Sequence, residues 1–148
     1  MISGPRSPGC VSAWRNLRST DEHPIPTIHN LHPRKNTFAD ILVRHVRERH
    51  DGNASAVYAA AWLDRRTWSA IVSDPCRPVA KRTAIQFALA LRLTRIEANE
   101  LLLAAGYALS PAIKEDAVFA YCIEQRIFDL FNVNEVLYDC GLKIIPPK

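Results

Sequence analysis

The chain has 148 residues, of which 48% are hydrophobic and 23% are charged, and it carries a formal net charge of +4. This length supports one folded domain with a core and leaves no room for two large domains. It holds no apolar run near the length of a membrane span and no signal-peptide core, which excludes a membrane protein and favours a soluble cytoplasmic one.

The charge is unevenly distributed. Residues 1–36 contain five Lys and Arg against two Asp and Glu, residues 37–109 contain ten against seven, and residues 110–148 contain four against six. A basic excess in the first two segments is expected of a surface that faces a polyanion.

The first 35 residues are predicted to form a flexible arm. They show no hydrophobic period, and five prolines interrupt them: Pro5, Pro8, Pro24, Pro26 and Pro33. A functional alternative is that basic residues of the arm contact a nucleic-acid backbone or a minor groove, namely Arg15, Arg18, Arg34 and Lys35.

Five helices are predicted over residues 36–109. Their N-caps or first residues are Thr37, Asn53 or Ser55, Asp64, Ala80 and the capping box Thr94–Glu97. Each is followed by apolar residues at helical spacing, and residues 80–91 are apolar around nearly the whole circumference, which indicates a central helix. Gly106 is predicted to end the fifth helix.

Two more helices are predicted over residues 110–148. The pair Ser110-Pro111 is typical of a helix start, and another start is expected between Asn132 and Glu135, with Gly141 as the C-terminal stop. No segment has the pattern of a strand, although residues 142–145 are compatible with an extended conformation. The fold class is therefore all-α.

The segment from Asn53 to Ser73 is typical of a helix-turn-helix. Trp68 and Ile71 are predicted to face the core, which leaves Arg65, Arg66 and Ser69 on the outward face. Arginines near the start of such a helix reach base edges or phosphates in a major groove. Basic residues around the start of the fourth helix suit a phosphate: Arg77, Lys81 and Arg82. The alternative is a solvated basic face on an ordinary helical bundle.

Residues 38–103 resemble the Cro/C1-type family, the lambda-repressor-like helix-turn-helix domains. The resemblance rests on the order of helices, the loop with Pro75 and Pro78, and the closing sequence AIQFALALRLTRIEANELL. It implies a five-helix DNA-binding domain, with the two later helices as an extension. It departs from the family at Trp62, where a turn glycine is common, and at Asn-Ala-Ser, where a glutamine commonly opens the second helix.

The resemblance implies a DNA-binding site in residues 63–71, LDRRTWSAI. Base contacts are expected from Arg65, Arg66, Ser69 and Ala70, and phosphate contacts from Ser55, Thr67, Arg77, Lys81 and Arg82. The primary functional hypothesis is a transcriptional regulator that binds double-stranded DNA. The alternatives are an adaptor, antitoxin-like or defence-associated protein-interaction module, and less readily an RNA-binding protein.

The extension is rich in aromatic and aliphatic residues, which either complete the core or form the face of a homodimer.

The sequence predicts no enzyme, no cofactor and no metal site. The five glycines form no phosphate loop, no serine lies in a GxSxG turn, and the four cysteines form no CxxC pair. Cys122 and Cys140 lie on apolar stripes, where free thiols act as small hydrophobes, which favours a reducing compartment.

Overall fold

The computed structural model describes residues 37–147, and within them the chain is all-α, as predicted, with seven helices and no strand. The helices are α1 (Phe38–His50), α2 (Ala54–Ala60), α3 (Arg65–Ser73), α4 (Lys81–Ala90), α5 (Arg95–Ala104), α6 (Lys114–Glu124) and α7 (Leu130–Asp139). The predicted arm, residues 1–35, lies outside the described residues, together with the four basic residues proposed to contact nucleic acid. No helix in the described range is long and apolar enough to cross a membrane.

Four of the first five helices begin at the side-chain caps expected from the sequence. The side chains of Thr37, Asn53, Asp64 and Thr94 each accept a backbone N–H from the first turn of the following helix. The caps before α1 and α5 are complete capping boxes. These bonds satisfy donors that a helix start otherwise leaves unpaired. The fourth helix, α4, starts after Ala80 and has no side-chain cap.

Six of the seven helices end in a residue with left-handed backbone. At the end of α1 this residue is Asp51, with φ of 50°. In the other five helices, two of these residues are glycines, Gly106 and Gly141, and three are not: Trp62, Arg92 and Arg126 have φ of 57°, 54° and 59°. In each of these five, the next residue donates its N–H to the carbonyl five residues back, as Leu63 does to Tyr58 at 2.8 Å. This is the Schellman pattern, which pairs the last carbonyls of a helix.

The predicted start of α6 at Ser110-Pro111 is wrong. The helix begins at Lys114. Ser110 instead closes a turn, since its carbonyl accepts the N–H of Ile113 at 3.1 Å. Its own N–H donates to the carboxylate of Asp116 at 2.9 Å, so a contact with the following helix replaces the expected cap.

The predicted start of α7 between Asn132 and Glu135 is also late. The helix begins at Leu130, because the Asp129 carboxylate accepts the N–H of Phe131 at 3.1 Å and acts as the cap. After α7, the side-chain amide of Asn134 pairs with both the N–H and the C=O of Ile145, at 2.7 and 2.8 Å. These bonds anchor the last described residues without forming a strand.

All seven helices contribute to one hydrophobic core. The extension supplies Phe119, Cys122, Leu130, Val133 and Leu137, all at most 2% exposed, to the same cluster of buried side chains as α1, α4 and α5. Burial of one such side chain stabilises the fold by roughly 1.5–3 kcal/mol. The extension therefore completes the core, which was one of the two roles predicted for it.

Candidate nucleic-acid interface

The turn between α2 and α3 consists of Ala61, Trp62, Leu63 and Asp64. Trp62 adopts the left-handed backbone that glycine adopts easily. Its half-buried indole lies against Phe131 of α7, with ring centroids 4.8 Å apart and planes at 72°. The bulky residue therefore keeps a tight turn and also packs against the extension.

The position of α3 is fixed at its start and along its inner face. The Asp64 carboxylate accepts the N–H of Thr67 at 2.8 Å and its hydroxyl at 2.7 Å. Ile71 is 4% exposed, and the ring of Trp68 packs on Phe87 of α4 at 6.1 Å between centroids. Both residues predicted to face inward therefore do so, although Trp68 is only half-buried.

The outward residues of α3 fall into two groups. Arg65 and Ser69 are exposed and lie four residues apart, so they share the outermost strip of the helix, which we call the crown. Arg66 and Ala70 also lie four residues apart, and they line a cleft of about 290 Å³ between α3 and the start of α4. We call this feature the α3 cleft.

The α3 cleft brings together several of the predicted site residues. Besides Arg66 and Ala70 it is lined by Thr67 and by Arg77 of the loop between α3 and α4. The remaining lining residues are Asp64, Ile71, Pro78, Val79, Ala80 and Thr83. Arg77 is placed by a local turn, since its N–H donates to the carbonyl of Asp74 at 3.0 Å. Loop geometry of this kind leaves no pattern in the sequence, so the sequence alone does not predict the cleft.

Three arginines of this region have no ion-pair partner among the described residues, whereas half of the other described basic residues have one. Five basic side chains of residues 37–109 form ion pairs: Arg44 with Glu100, Arg49 with Glu97, Lys81 with Asp116, Arg82 with Glu115 and Arg95 with Glu124. Within residues 37–147, Arg65, Arg66 and Arg77 form no ion pair, and all three are exposed. Their guanidinium groups are therefore accessible to an external anion.

Lys81 and Arg82, both predicted to contact phosphate, are engaged by the C-terminal part of the chain. Lys81 Nζ lies 2.7 Å from the carboxylate of Asp116, whose side chain is 4% exposed. Arg82 pairs with Glu115 and donates to the carbonyls of Lys143 and Ile144 at 2.8 and 3.0 Å. A phosphate at either residue would have to compete with these partners.

Ser55 does not join the other predicted phosphate contacts. Its hydroxyl donates to the side chain of Asn53 at 2.8 Å, at the start of α2, and it is not among the residues that line the cleft. The excess of three basic residues over residues 37–109 is balanced by an excess of three acidic residues over residues 110–147. Residues 37–147 contain 13 Lys and Arg and 13 Asp and Glu, so this unit is neutral. Any attraction for a polyanion must come from local groups.

Two ionisable side chains are buried away from these groups. His45 of α1 is 3% exposed, and neither of its ring nitrogens has a hydrogen-bond partner within the described residues. Burial lowers its pKa. Burial also raises the pKa of the Cys122 thiol to about 11, with a smaller contribution from Cys140. Among residues 37–147, no three His, Cys, Asp or Glu side chains are placed to hold a metal ion.

The chain matches no protein-family model, no curated protein and no solved structure.

Proposed function

We propose that this protein is a DNA-binding regulator that inserts α3 into the major groove of a duplex. The observation that supports it most directly is the set of three exposed arginines on α3 and the following loop that have no ion-pair partner within residues 37–147. The short α2, the tight turn at Trp62 and the capped α3 support the proposal, because a helix presented after such a turn fits the major groove.

The proposed binding has two components. Contacts from arginine to phosphate supply salt-dependent affinity for any sequence, and contacts from the crown to base edges supply preference. Because the described unit is neutral, few phosphates are contacted, and we expect a modest dependence of affinity on salt.

Fluorescence anisotropy tests the proposal. The full chain is titrated against a random duplex pool and against DNA from upstream of its own gene, at about 50 and 200 mM salt. We expect salt-dependent binding, with a preference for the upstream DNA. A variant with Arg65→Ala and Arg66→Ala should bind at least about tenfold more weakly.

Arg47→Ala is the matched control, since Arg47 is an exposed arginine on α1 that forms no ion pair within residues 37–147. It should bind like the wild type. A loss of binding free energy in the control of half that in the double variant or more would show that only total charge matters. No binding by the wild type at low salt would refute the proposal.

A homodimer formed through the C-terminal helices is part of the proposal, because two copies would present two α3 helices to half-sites about one turn of DNA apart. The side chains available for it are Phe131 and Tyr138 on α7, which are 66% and 76% exposed. Light scattering at tens of micromolar protein tests it, and a strictly monomeric mass would contradict it.

The second candidate is a protein-interaction module that uses this fold without reading DNA. It is favoured by the neutral charge of residues 37–147 and by the engagement of Lys81 and Arg82 within the chain. It predicts no salt-dependent duplex binding and a stable complex with another protein. The same anisotropy titration separates the two candidates.

A further inference from the structure

Arg65 and Arg66 are adjacent in sequence, but only Arg66 lies at the α3 cleft. Arg66 lines the cleft with Ala70, whereas Arg65 and Ser69 are absent from its walls. This follows from helix geometry, since consecutive residues point about 100° apart around the axis and residues four apart point the same way. Arg65 and Arg66 therefore address different parts of any molecule that lies across α3.

Arg77 lies on the same cleft as Arg66. The two residues are eleven positions apart, and the loop after α3 brings Arg77 back to this side of the helix. Neither guanidinium is held by an ion pair within residues 37–147, so both are available to one ligand. Two guanidinium groups at one small cavity match an anion with several oxygen atoms, because arginine donates to such groups in a bidentate manner.

The chemistry of the other walls fits a single phosphate better than a base edge. The cleft has a volume of about 290 Å³, and its wall includes Thr83 and Ala80, the residue just before the uncapped start of α4. The one carboxylate among the lining residues, Asp64, accepts two hydrogen bonds from Thr67. No described side chain of the cleft supplies the amide pairing that adenine takes, or a further acid for cytosine.

We infer that the α3 cleft holds one phosphate of the DNA backbone between Arg66 and Arg77, so that Arg66 anchors the duplex and Arg65 and Ser69 read the bases. This inference rests on the proposed function. It changes the role that the sequence assigned to Arg66, from a base contact to a phosphate contact, and it restricts direct readout to the crown.

The first test compares single variants on a preferred duplex and on a scrambled duplex across a range of salt concentrations. Arg66→Ala and Arg77→Ala should each weaken binding to both duplexes by the same factor, about tenfold, and should reduce the salt slope by about 1. Arg65→Ala should weaken binding mainly to the preferred duplex. Arg66→Lys should retain more affinity than Arg66→Ala with the same preference, since an ammonium still pairs with a phosphate.

The second test identifies the shared phosphate. Neutral methylphosphonate groups are introduced one at a time along the preferred duplex. We expect one position that weakens binding by the wild type, weakens it less in Arg66→Ala and in Arg77→Ala, and leaves binding by the variant lacking both arginines unchanged. The double variant should lose less affinity than the product of the single losses, because both side chains contact one group.

The outcomes separate this inference from the proposed function. If the wild type binds DNA and Arg66→Ala alters sequence preference, the inference is overturned and the proposed function stands. The same holds if no methylphosphonate position is shared by the two arginine variants. If the wild type shows no salt-dependent duplex binding, both are overturned. All the substituted side chains are exposed, and unchanged thermal melts would show that each variant folds.

Discussion

The indole of Trp62 lies edge-on against the ring of Phe131, with centroids 4.8 Å apart and planes at 72°. Trp62 belongs to the turn that leads into α3, and Phe131 belongs to α7, so one aromatic pair ties the proposed reading helix to the C-terminal extension. Trp62 also has a left-handed backbone, with φ of 57°, which is unfavourable for a residue with a side chain. The ring contact therefore offsets a local conformational cost.

Substitutions at Trp62 should separate these two effects. Trp62→Gly loses the ring contact but relieves the backbone, whereas Trp62→Ala loses the contact and keeps the unfavourable φ. We expect the free energy of unfolding to fall in both, and Trp62→Ala to be less stable than Trp62→Gly by about 1 kcal/mol. Urea unfolding measures the order. Equal stability of the two variants would show that the turn relaxes.

The aromatic pair itself should be visible in a double-mutant cycle. Phe131→Leu, Trp62→Leu and the double variant should give a coupling free energy of about 0.5–1.5 kcal/mol. The matched control is Tyr138→Leu, which removes an exposed ring from the same helix at a position with no ring contact among the described residues. A coupling with Trp62 as large for Tyr138 as for Phe131 would contradict a direct ring contact.

Asp116 should be the acidic residue of the extension on which stability depends most. Its side chain is 4% exposed, and it accepts from both Lys81 Nζ and the N–H of Ser110. Asp116→Ala leaves both donors without this partner, and we expect a loss of about 1–3 kcal/mol in the free energy of unfolding. Glu100→Ala is the control, because Glu100 pairs with Arg44 at the surface, and its loss should be within about 0.5 kcal/mol. Similar losses for both would contradict the role given to Asp116.

His45 should make stability depend on pH in mildly acid solution. Burial lowers its pKa below the ordinary 6.5; Glu97 of α5 and Glu48 of α1 oppose that effect, and Arg44 and Arg49 of α1 reinforce it. Because the folded state disfavours the protonated ring, its contribution is fully present above pH 6.5 and is lost as the pH falls below that value toward the folded pKa.

The variant His45→Leu should lose less stability than the wild type when the pH is lowered from about 7.5 to about 5, as measured by urea unfolding at each pH. An identical pH dependence in the two proteins would show that other groups are responsible.

Glu97 makes the stability depend on pH in a lower range than His45 does. Burial raises its pKa, but hydrogen bonds from Thr94 and Arg49 outweigh that effect and hold it below 4.5.

Cys122 should resist alkylation in the folded protein. It is fully buried, and burial raises the pKa of its thiol to about 11, so only about one molecule in a thousand carries a thiolate at pH 8. We expect iodoacetamide to modify Cys140, which is half-buried, well before Cys122. Mass spectrometry of peptides from timed samples gives the order. Modification of Cys122 at the rate seen in urea would mean that α6 opens readily.

The sequence predicted the first five helices well because their signals are local. Caps such as Thr37 and Asp64 bond within three residues, so a pattern of hydroxyl or carboxylate before an apolar stripe is sufficient. The same N-cap pattern predicted a helix start at Ser110-Pro111 that is wrong. There, the N–H of Ser110 donates to Asp116, six residues later.

Contacts between residues far apart in the chain leave no such local pattern in the sequence. The left-handed ends at Trp62, Arg92 and Arg126 carry no glycine to mark them. The pairing of Lys81 with Asp116 spans 35 residues, so neither residue predicts the other. In the candidate site, the exposure of Arg65 and Arg66 followed from helical periodicity. The shared cleft of Arg66 and Arg77 depends on the path of a loop.

The crown of α3 has a consequence for how this protein tolerates change. Arg65 and Ser69 are exposed and form no ion pair or side-chain hydrogen bond within residues 37–147, while Ile71 and the capped start hold the helix from the other side. Surface substitutions of this kind usually shift stability by less than about 0.5 kcal/mol. A library randomised at positions 65 and 69 should therefore yield folded proteins nearly throughout, so that selection could explore new binding preferences without a penalty in expression.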